Sequence, residues 1–131
     1  MDDKTLCITA INAMNYSYSP YSSCKVGAAL LCSSGKVYTG CNIENASFSP
    51  TVCAERTAFF KAISEGERDF VKIAVAGGKD GIIDPAFTPC GVCRQVMAEF
   101  CRPDFRILIV SSENSFDEFS LAHLLPEAFK I

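Results

Sequence analysis

The chain has 131 residues, of which 49% are hydrophobic and 21% charged. This balance predicts a single compact domain over residues 1–131 and argues against a disordered protein. The net charge of -3 at pH 7 and the scattered lysines and arginines disfavour a nucleic acid polymer as partner. No run of about 18 apolar residues predicts a membrane span, and the first residues lack the pattern of a secretory signal, so we expect a cytoplasmic protein.

The first half of the chain predicts a helix, a β-hairpin and a second helix. Apolar residues at helical spacing over 7–14 predict the first helix. Two largely apolar runs, 26–32 and 37–43, are separated by Ser-Ser-Gly-Lys, which is typical of a hairpin. A second helix is expected to begin near Cys53 and to end at Gly66.

The second half alternates strands with helices. We expect a strand over 71–76, an irregular loop over 77–89, and then a third helix, preceded by Pro89, with Cys93, Val96, Met97 and Phe100 on its apolar face. A strand over 106–110 and a short final helix over 119–125 complete the order. This alternation predicts an α/β fold, a three-layer α/β/α sandwich with a mixed β-sheet that combines an antiparallel hairpin with parallel later strands.

Eight cysteines are many for a chain of this length. The missing signal and the ample core argue against a secreted disulfide scaffold and favour a protein that uses some thiolates as metal ligands. The cysteines outside the metal motif described next are interpreted mainly as small buried residues: Cys7, Cys24, Cys32, Cys41 and Cys101.

Three cysteines have the spacing of a catalytic zinc site. Cys90 and Cys93 stand three residues apart at a predicted helix start, and Cys53 stands at the start of another helix. A catalytic zinc keeps three protein ligands and one open position for water. Helix N-termini carry a partial positive charge that stabilises thiolates. We therefore predict one Zn²⁺ bound by these three thiolates.

Glu55 and Arg56 follow Cys53 closely. Glu55 is placed beside the metal without being a ligand, which suits a general acid and base for the water that the zinc activates. Arg56 is placed to offset the negative charge of three thiolates. A structural zinc site would require a fourth protein ligand, and the one histidine, His123, is predicted to be a surface or capping residue. Thioredoxin-like redox chemistry would explain neither Cys53 nor Glu55.

At these residues the chain resembles the small zinc-dependent cytidine deaminases. The matching motifs lie in the family order along nearly the whole chain: residues 20–22, 26–29, 40–45, 53–58, 89–95 and 124–129. The resemblance implies a cytidine deaminase-like fold, a homotetramer with shared active sites, one zinc per subunit and a free nucleoside substrate. It also implies which residues form the site. Substrate contacts are expected at Cys24, Asn42, Glu44, Ala54 and Phe129, and Arg56 and Gln95 are expected beside the zinc ligands.

Two positions depart from the family pattern. Cys24 stands where the family usually has a phenylalanine that packs against the pyrimidine, so stacking is expected to be weaker unless another ring compensates. Phe48 stands where the family often has tyrosine, which removes one hydroxyl.

The expected reaction is the hydrolytic deamination of free cytidine and deoxycytidine to uridine and deoxyuridine with release of ammonia, as in pyrimidine salvage. Three alternative functions would place different demands on the sequence. A deaminase of a cytosine nucleoside antibiotic would share the zinc motif without needing the sugar residues Asn42 and Glu44. A polynucleotide deaminase would require a basic groove, and a non-enzymatic zinc module would have no use for Glu55.

Overall fold

A five-stranded sheet organises the chain in the computed structural model, which describes residues 1–131. The strands are β1 (Cys24–Cys32), β2 (Val37–Cys41), β3 (Phe70–Lys79), β4 (Arg106–Ser112) and β5 (Ser115–Ser120). The helices are α1 (Asp3–Ala13), α2 (Ala54–Ser64), α3 (Gly91–Phe100) and α4 (Leu121–Leu124), and a 3-10 turn, Met14–Tyr16, follows α1. None of the helices is long and apolar enough to cross a membrane.

The sheet is mixed, and its strand order is β2-β1-β3-β4-β5. The β1–β2 hairpin and the β1–β3 and β4–β5 pairs are antiparallel. The β3–β4 pair is parallel, with Ile73 opposite Ile107, because α3 carries the chain back across one face of the sheet between them. The predicted mixed sheet is therefore confirmed.

Each central strand buries both of its faces, because its side chains alternate between two cores. One core lies under α2 and α3 and contains, from the sheet, Ala28, Leu30, Ile73, Val75, Ile107 and Ile109. The other lies under α1 and contains Ala29, Leu31, Ala74, Ala76, Leu108 and Val110. Helices thus cover both faces, and the predicted three-layer α/β/α architecture is confirmed.

The structure differs from the prediction mainly near the C-terminus. The fifth strand, β5, was not expected, and the helix predicted over 119–125 is shorter because Phe119 and Ser120 belong to that strand. β5 is an edge strand with no fully buried side chain and no clean apolar alternation, so backbone pairing with β4 rather than its own pattern places it in the sheet. β3 is also longer than the predicted strand, because it continues through Gly77 and Gly78, the first two residues of the predicted loop.

A charged cluster fixes the start of α1 to the sheet. Lys72 in β3 is buried and donates a hydrogen bond to the Asp3 carboxylate at 2.6 Å. Arg106 in β4 donates to the same carboxylate at 2.7 and 3.2 Å, and to Glu118 in β5 at 2.7 and 3.0 Å. The Asp3 carboxylate therefore compensates the buried charge of Lys72 and joins three elements that are distant in sequence.

α2 lies unusually close to β2 because Gly40 has no side chain. A Cβ atom at Gly40 would stand 2.3 Å from the Ala54 carbonyl oxygen and 2.6 Å from the Ala58 amide nitrogen. These distances are shorter than any stable contact, so the first turn of α2 can reach its position only over a glycine. That turn carries Glu55.

Candidate active site

Two helix N-termini bring the three predicted metal ligands together. Cys53 is the N-cap residue of α2 and Cys90 is the N-cap residue of α3. Neither helix has a side-chain cap, so the two sulfur atoms lie beside unpaired backbone amides. Cys93 lies one turn into α3 and is buried. The positive ends of both helices therefore face the sulfur cluster, which favours thiolates there.

The geometry of the sulfur cluster fits zinc. The Cys53 and Cys90 sulfurs are 3.6 Å apart, the Cys90 and Cys93 sulfurs are also 3.6 Å apart, and all three lie within 4.8 Å of one another. Zinc–sulfur bonds of about 2.3 Å in a tetrahedron give sulfur–sulfur distances of about 3.8 Å. All eight cysteines are free thiols, so no disulfide competes for these ligands.

Glu55 lies in the first turn of α2 and is one of the few charged residues that the fold buries; only 4% of it is exposed. Burial raises the pKa of Glu55 to about 7, since an apolar surrounding disfavours the charged carboxylate. A carboxyl group with this pKa can both accept and return a proton near neutral pH.

Arg56 lies against the sulfur cluster. Its Nη2 atom is 3.4 Å from the Cys53 sulfur, where it donates a hydrogen bond. Hydrogen bonds from Cys93 and from Arg56 lower the pKa of the Cys53 thiol, against the opposing effect of burial. Arg56 thus contacts one of the predicted zinc ligands directly, and its Nε atom, buried without a partner, leaves one further donor free.

A cavity of about 230 Å³ is lined by Glu55, Cys53 and Cys90. Asn42, Glu44 and Ala54, three of the residues expected to contact substrate, also line it. The full lining is Val26, Asn42, Glu44, Thr51, Val52, Cys53, Ala54, Glu55, Phe87, Thr88 and Cys90. One concave site therefore holds the acid-base candidate, metal ligands and polar groups.

Asn42 and Glu44 are held by hydrogen bonds within the fold. The Asn42 side-chain oxygen accepts from Ser17 and from the Val26 amide at 2.9 Å, and its nitrogen donates to the Cys24 carbonyl at 2.8 Å. An asparagine amide has two donor hydrogens, so one of them remains for a ligand. The Glu44 carboxylate accepts from the amides of Tyr21 and Ser22 at 3.0 and 3.1 Å, and hydrogen bonding from Ser22 lowers its pKa.

Besides Cys93 and Arg56, which lie in the sulfur cluster, three predicted site residues do not line the cavity. The half-buried Cys24 directs its sulfur to the Ser22 carbonyl oxygen, 3.8 Å away. Phe129 is 70% exposed in the C-terminal tail. The Gln95 side chain donates to the Phe129 carbonyl at 3.2 Å, so Gln95 lies against the tail. His123 is exposed in α4 and stacks on Phe119, with ring centroids 5.8 Å apart.

The structure adds residues that the sequence analysis did not single out. Phe87 and Thr88 line the cavity from the loop before α3. Arg94 holds the end of this loop, donating to the Pro89 carbonyl at 2.7 Å and to the Thr88 hydroxyl at 3.1 Å. A third bond joins Arg94 to the Leu124 carbonyl at 2.6 Å. The adjacent motif Pro89–Cys93 could have indicated these residues from the sequence, because residues that flank a metal-ligand motif lie close to the same site.

Comparison with known proteins identifies the family. Residues 1–109, which include all three cysteines of the cluster, match the cytidine and deoxycytidylate deaminase zinc-binding region. The chain belongs to this deaminase family. Zinc is the metal for which the family's region is described, and the sulfur geometry fits it, so zinc is the cofactor.

Individual relatives match along nearly the whole chain. The cytidine deaminase of Sporosarcina psychrophila is 46% identical over 129 residues, 98% of this chain and 92% of the relative. The probable cytidine deaminase of Dictyostelium discoideum is 46% identical, over 94% of this chain and 81% of its own. The crystal structure of cytidine deaminase from Burkholderia pseudomallei superposes with a TM-score of 0.88 at 43% identity, covering 98% of this chain and 100% of the other.

Proposed function

We propose that the protein hydrolyses free cytidine and deoxycytidine to uridine and deoxyuridine, with release of ammonia. One observation carries this proposal: the buried carboxyl group of Glu55 opens into the same cavity as the Cys53 and Cys90 sulfurs and the polar side chains of Asn42 and Glu44. Relatives named cytidine deaminase that cover nearly the whole chain support the choice of substrate.

Glu55 moves the protons of this reaction. Zinc held by Cys53, Cys90 and Cys93 supplies a Lewis acid that activates water and stabilises developing negative charge. Glu55 accepts a proton from the attacking water while the water oxygen bonds to C4 of the pyrimidine. Glu55 then delivers that proton to N3. Glu55 then carries the remaining hydroxyl proton to the exocyclic nitrogen, the C4–N bond breaks, and ammonia leaves. Burial raises the pKa of Glu55, which helps this carboxyl group to return a proton as well as to accept one.

Asn42 and Glu44 select the free nucleoside. The Glu44 carboxylate is oriented by the amides of Tyr21 and Ser22 and by the Ser22 hydroxyl, which leaves one of about four acceptor positions for a sugar hydroxyl. The free Asn42 hydrogen is a donor to the same sugar. Cytosine lacks these contacts, and the phosphate of CMP would meet the negative charge of Glu44. The free nucleoside is therefore expected to be a better substrate than either cytosine or CMP. A cytosine antibiotic without a matching sugar would not use this pair.

An ultraviolet assay with cytidine, deoxycytidine, CMP and cytosine tests the reaction on the zinc-loaded protein. The Glu55→Gln variant is expected to keep one zinc per chain and to lose about 10²- to 10⁴-fold in kcat, because an amide of the same shape cannot exchange protons. The exposed Glu113→Gln is the matched control and should leave turnover unchanged. Near-normal turnover by Glu55→Gln would refute the acid-base assignment, and efficient turnover of CMP would refute the substrate.

We further propose that the chain forms a single domain and acts in the cytoplasm as a homotetramer with shared active sites. The exposed Phe129 ring, which lies outside its own chain's cavity, is the feature that supports sharing. Light scattering measures the assembly, and a monomeric mass would contradict it. Mixing Glu55→Gln with Phe129→Ala after dissociation should restore activity above either parent if a ring from one copy completes the site of another. If Phe129→Ala is itself impaired, no recovery in mixed oligomers confirmed by mass spectrometry would contradict sharing.

A further inference from the structure

The cavity beside Glu55 contains one aromatic ring of its own chain. Among its eleven lining residues only Phe87 is aromatic, and the others are polar or small. Phe87 comes from the loop between β3 and α3 and is half-buried, so one part of its side chain packs against the protein and another part remains available to a ligand.

The ring of Phe87 packs against the sheet at a position where the sheet has no side chain. Val26 in β1 is directly opposite Gly77 in β3. A Cβ atom at Gly77 would lie 3.0 Å from the Phe87 Cδ2 atom, 3.2 Å from its Cβ atom, and 3.1 Å from a Val26 methyl group. The ring therefore occupies the space above a residue without a side chain, next to the valine that also lines the cavity.

The loop that carries Phe87 is held on both sides. The Asp84 amide donates to the Gly77 carbonyl at 2.7 Å, and the Phe87 amide donates to the Asp84 carbonyl at 3.1 Å. On the other side, Arg94 holds the Thr88 hydroxyl and the Pro89 carbonyl. The position of the ring is thus fixed before a ligand enters, which lowers the entropic cost of using it in binding.

We propose that Phe87 is the specificity-determining residue that holds the pyrimidine ring of the substrate in the cavity. This inference rests on the proposed function, because it names the group that binds the base of that substrate. A planar heterocycle gains from contact with an aromatic side chain beyond the burial of area. Cys24 lies two residues before Val26, on the same face of β1. Its side chain is small, and its sulfur points to the Ser22 carbonyl in the loop before β1. Phe87 supplies the flat apolar surface that this position lacks.

Kinetic constants for cytidine distinguish this role from a merely structural one. Phe87→Leu keeps the apolar volume and removes the ring, and we expect KM to rise about 2- to 12-fold with kcat and zinc content unchanged. Phe87→Ala removes the whole surface, and we expect KM to rise about 5- to 150-fold. Phe87→Tyr keeps a ring and should stay within about twofold of the wild type. Ile82→Ala, on the exposed part of the same loop, is the control and should change neither constant.

Binding measured without turnover separates this inference from the proposed function. Calorimetry with cytidine and the Glu55→Gln protein, with and without Phe87→Leu, should show the same 2- to 12-fold loss of affinity. If the wild type deaminates cytidine but Phe87→Leu leaves both KM and this affinity unchanged, only the role of Phe87 is overturned. It is also overturned if Phe87→Tyr weakens binding as much as Phe87→Leu. If the wild type does not deaminate cytidine and Glu55→Gln does not bind it, the proposed function is overturned as well.

Discussion

Replacing Asp3 by asparagine tests how the charged cluster holds α1 to the sheet. The change keeps the shape of the side chain but leaves the buried Lys72 without a countercharge. Hydrogen bonds from Arg106 and Lys72 lower the pKa of Asp3 from 3.8 to about 2. We expect the free energy of unfolding to fall at neutral pH, because the carboxylate stabilises the folded state only while it is charged.

The size of the effect follows from this pKa. A fall from 3.8 to about 2 corresponds to about 2.4 kcal/mol, since each pH unit is worth about 1.36 kcal/mol. The side chains of Asp3 and Arg106 are 28% and 38% exposed, so screening by water reduces the contribution to about 1–2 kcal/mol. Because the pKa is lowered in the folded state, the contribution is complete above about pH 5 and disappears as the pH falls toward 2.

Urea unfolding followed by circular dichroism between pH 7 and pH 2 measures this difference. Asp104→Asn is the matched control, because Asp104 pairs with Arg102 at 3.6 Å on the surface, with both side chains mostly exposed, and its removal should cost less than about 0.5 kcal/mol. An Asp3→Asn protein as stable at pH 7 as Asp104→Asn would refute the reasoning. So would a difference from the wild type that stays constant down to pH 2.

Two further predictions concern the metal site and the packing that positions it. Cys90→Ala should lose zinc, whereas Cys101→Ala, a buried thiol outside the cluster, should keep one zinc per chain; elemental analysis measures both. Gly40→Ala should lower the free energy of unfolding by about 1–3 kcal/mol because the methyl group overlaps the α2 backbone. Gly91→Ala, where a methyl group meets nothing within 4 Å, should lower it by less than about 0.5 kcal/mol in the same urea titration.

The metal cluster was predictable from sequence because each of its parts leaves a local signal. Cys90 and Cys93 stand at ligand spacing beside Pro89, and Cys53 precedes an apolar helix. The helices begin at those cysteines, with Cys53 and Cys90 as N-cap residues. The three α/β/α layers were also predictable, because the central strands appear in the sequence as continuous apolar runs, which is a local signal of strands buried on both faces.

Other features depend on contacts between distant segments and had no local signal. β5 is defined by its pairing with β4. Only the fold shows that the Glu118 carboxylate accepts hydrogen bonds from Arg106 of the neighbouring strand. Lys72 looks like an ordinary polar interruption of β3, and only the fold shows that Asp3 reaches it. The packing of Phe87 over Gly77 likewise cannot be predicted without knowing the register between β1 and β3.

The contacts of α1 have a consequence for synthesis of the chain. The Asp3–Arg106 hydrogen bonds join residues 103 positions apart, and α1 packs on a face that includes Leu108 and Val110 of β4. During synthesis α1 therefore lacks its complete docking surface until about 100 further residues have been added. At about 5–20 residues per second this wait lasts roughly 5–20 s. During that time the apolar face of α1 is open to solvent and to chaperones, and docking of α1 waits for the synthesis of β4.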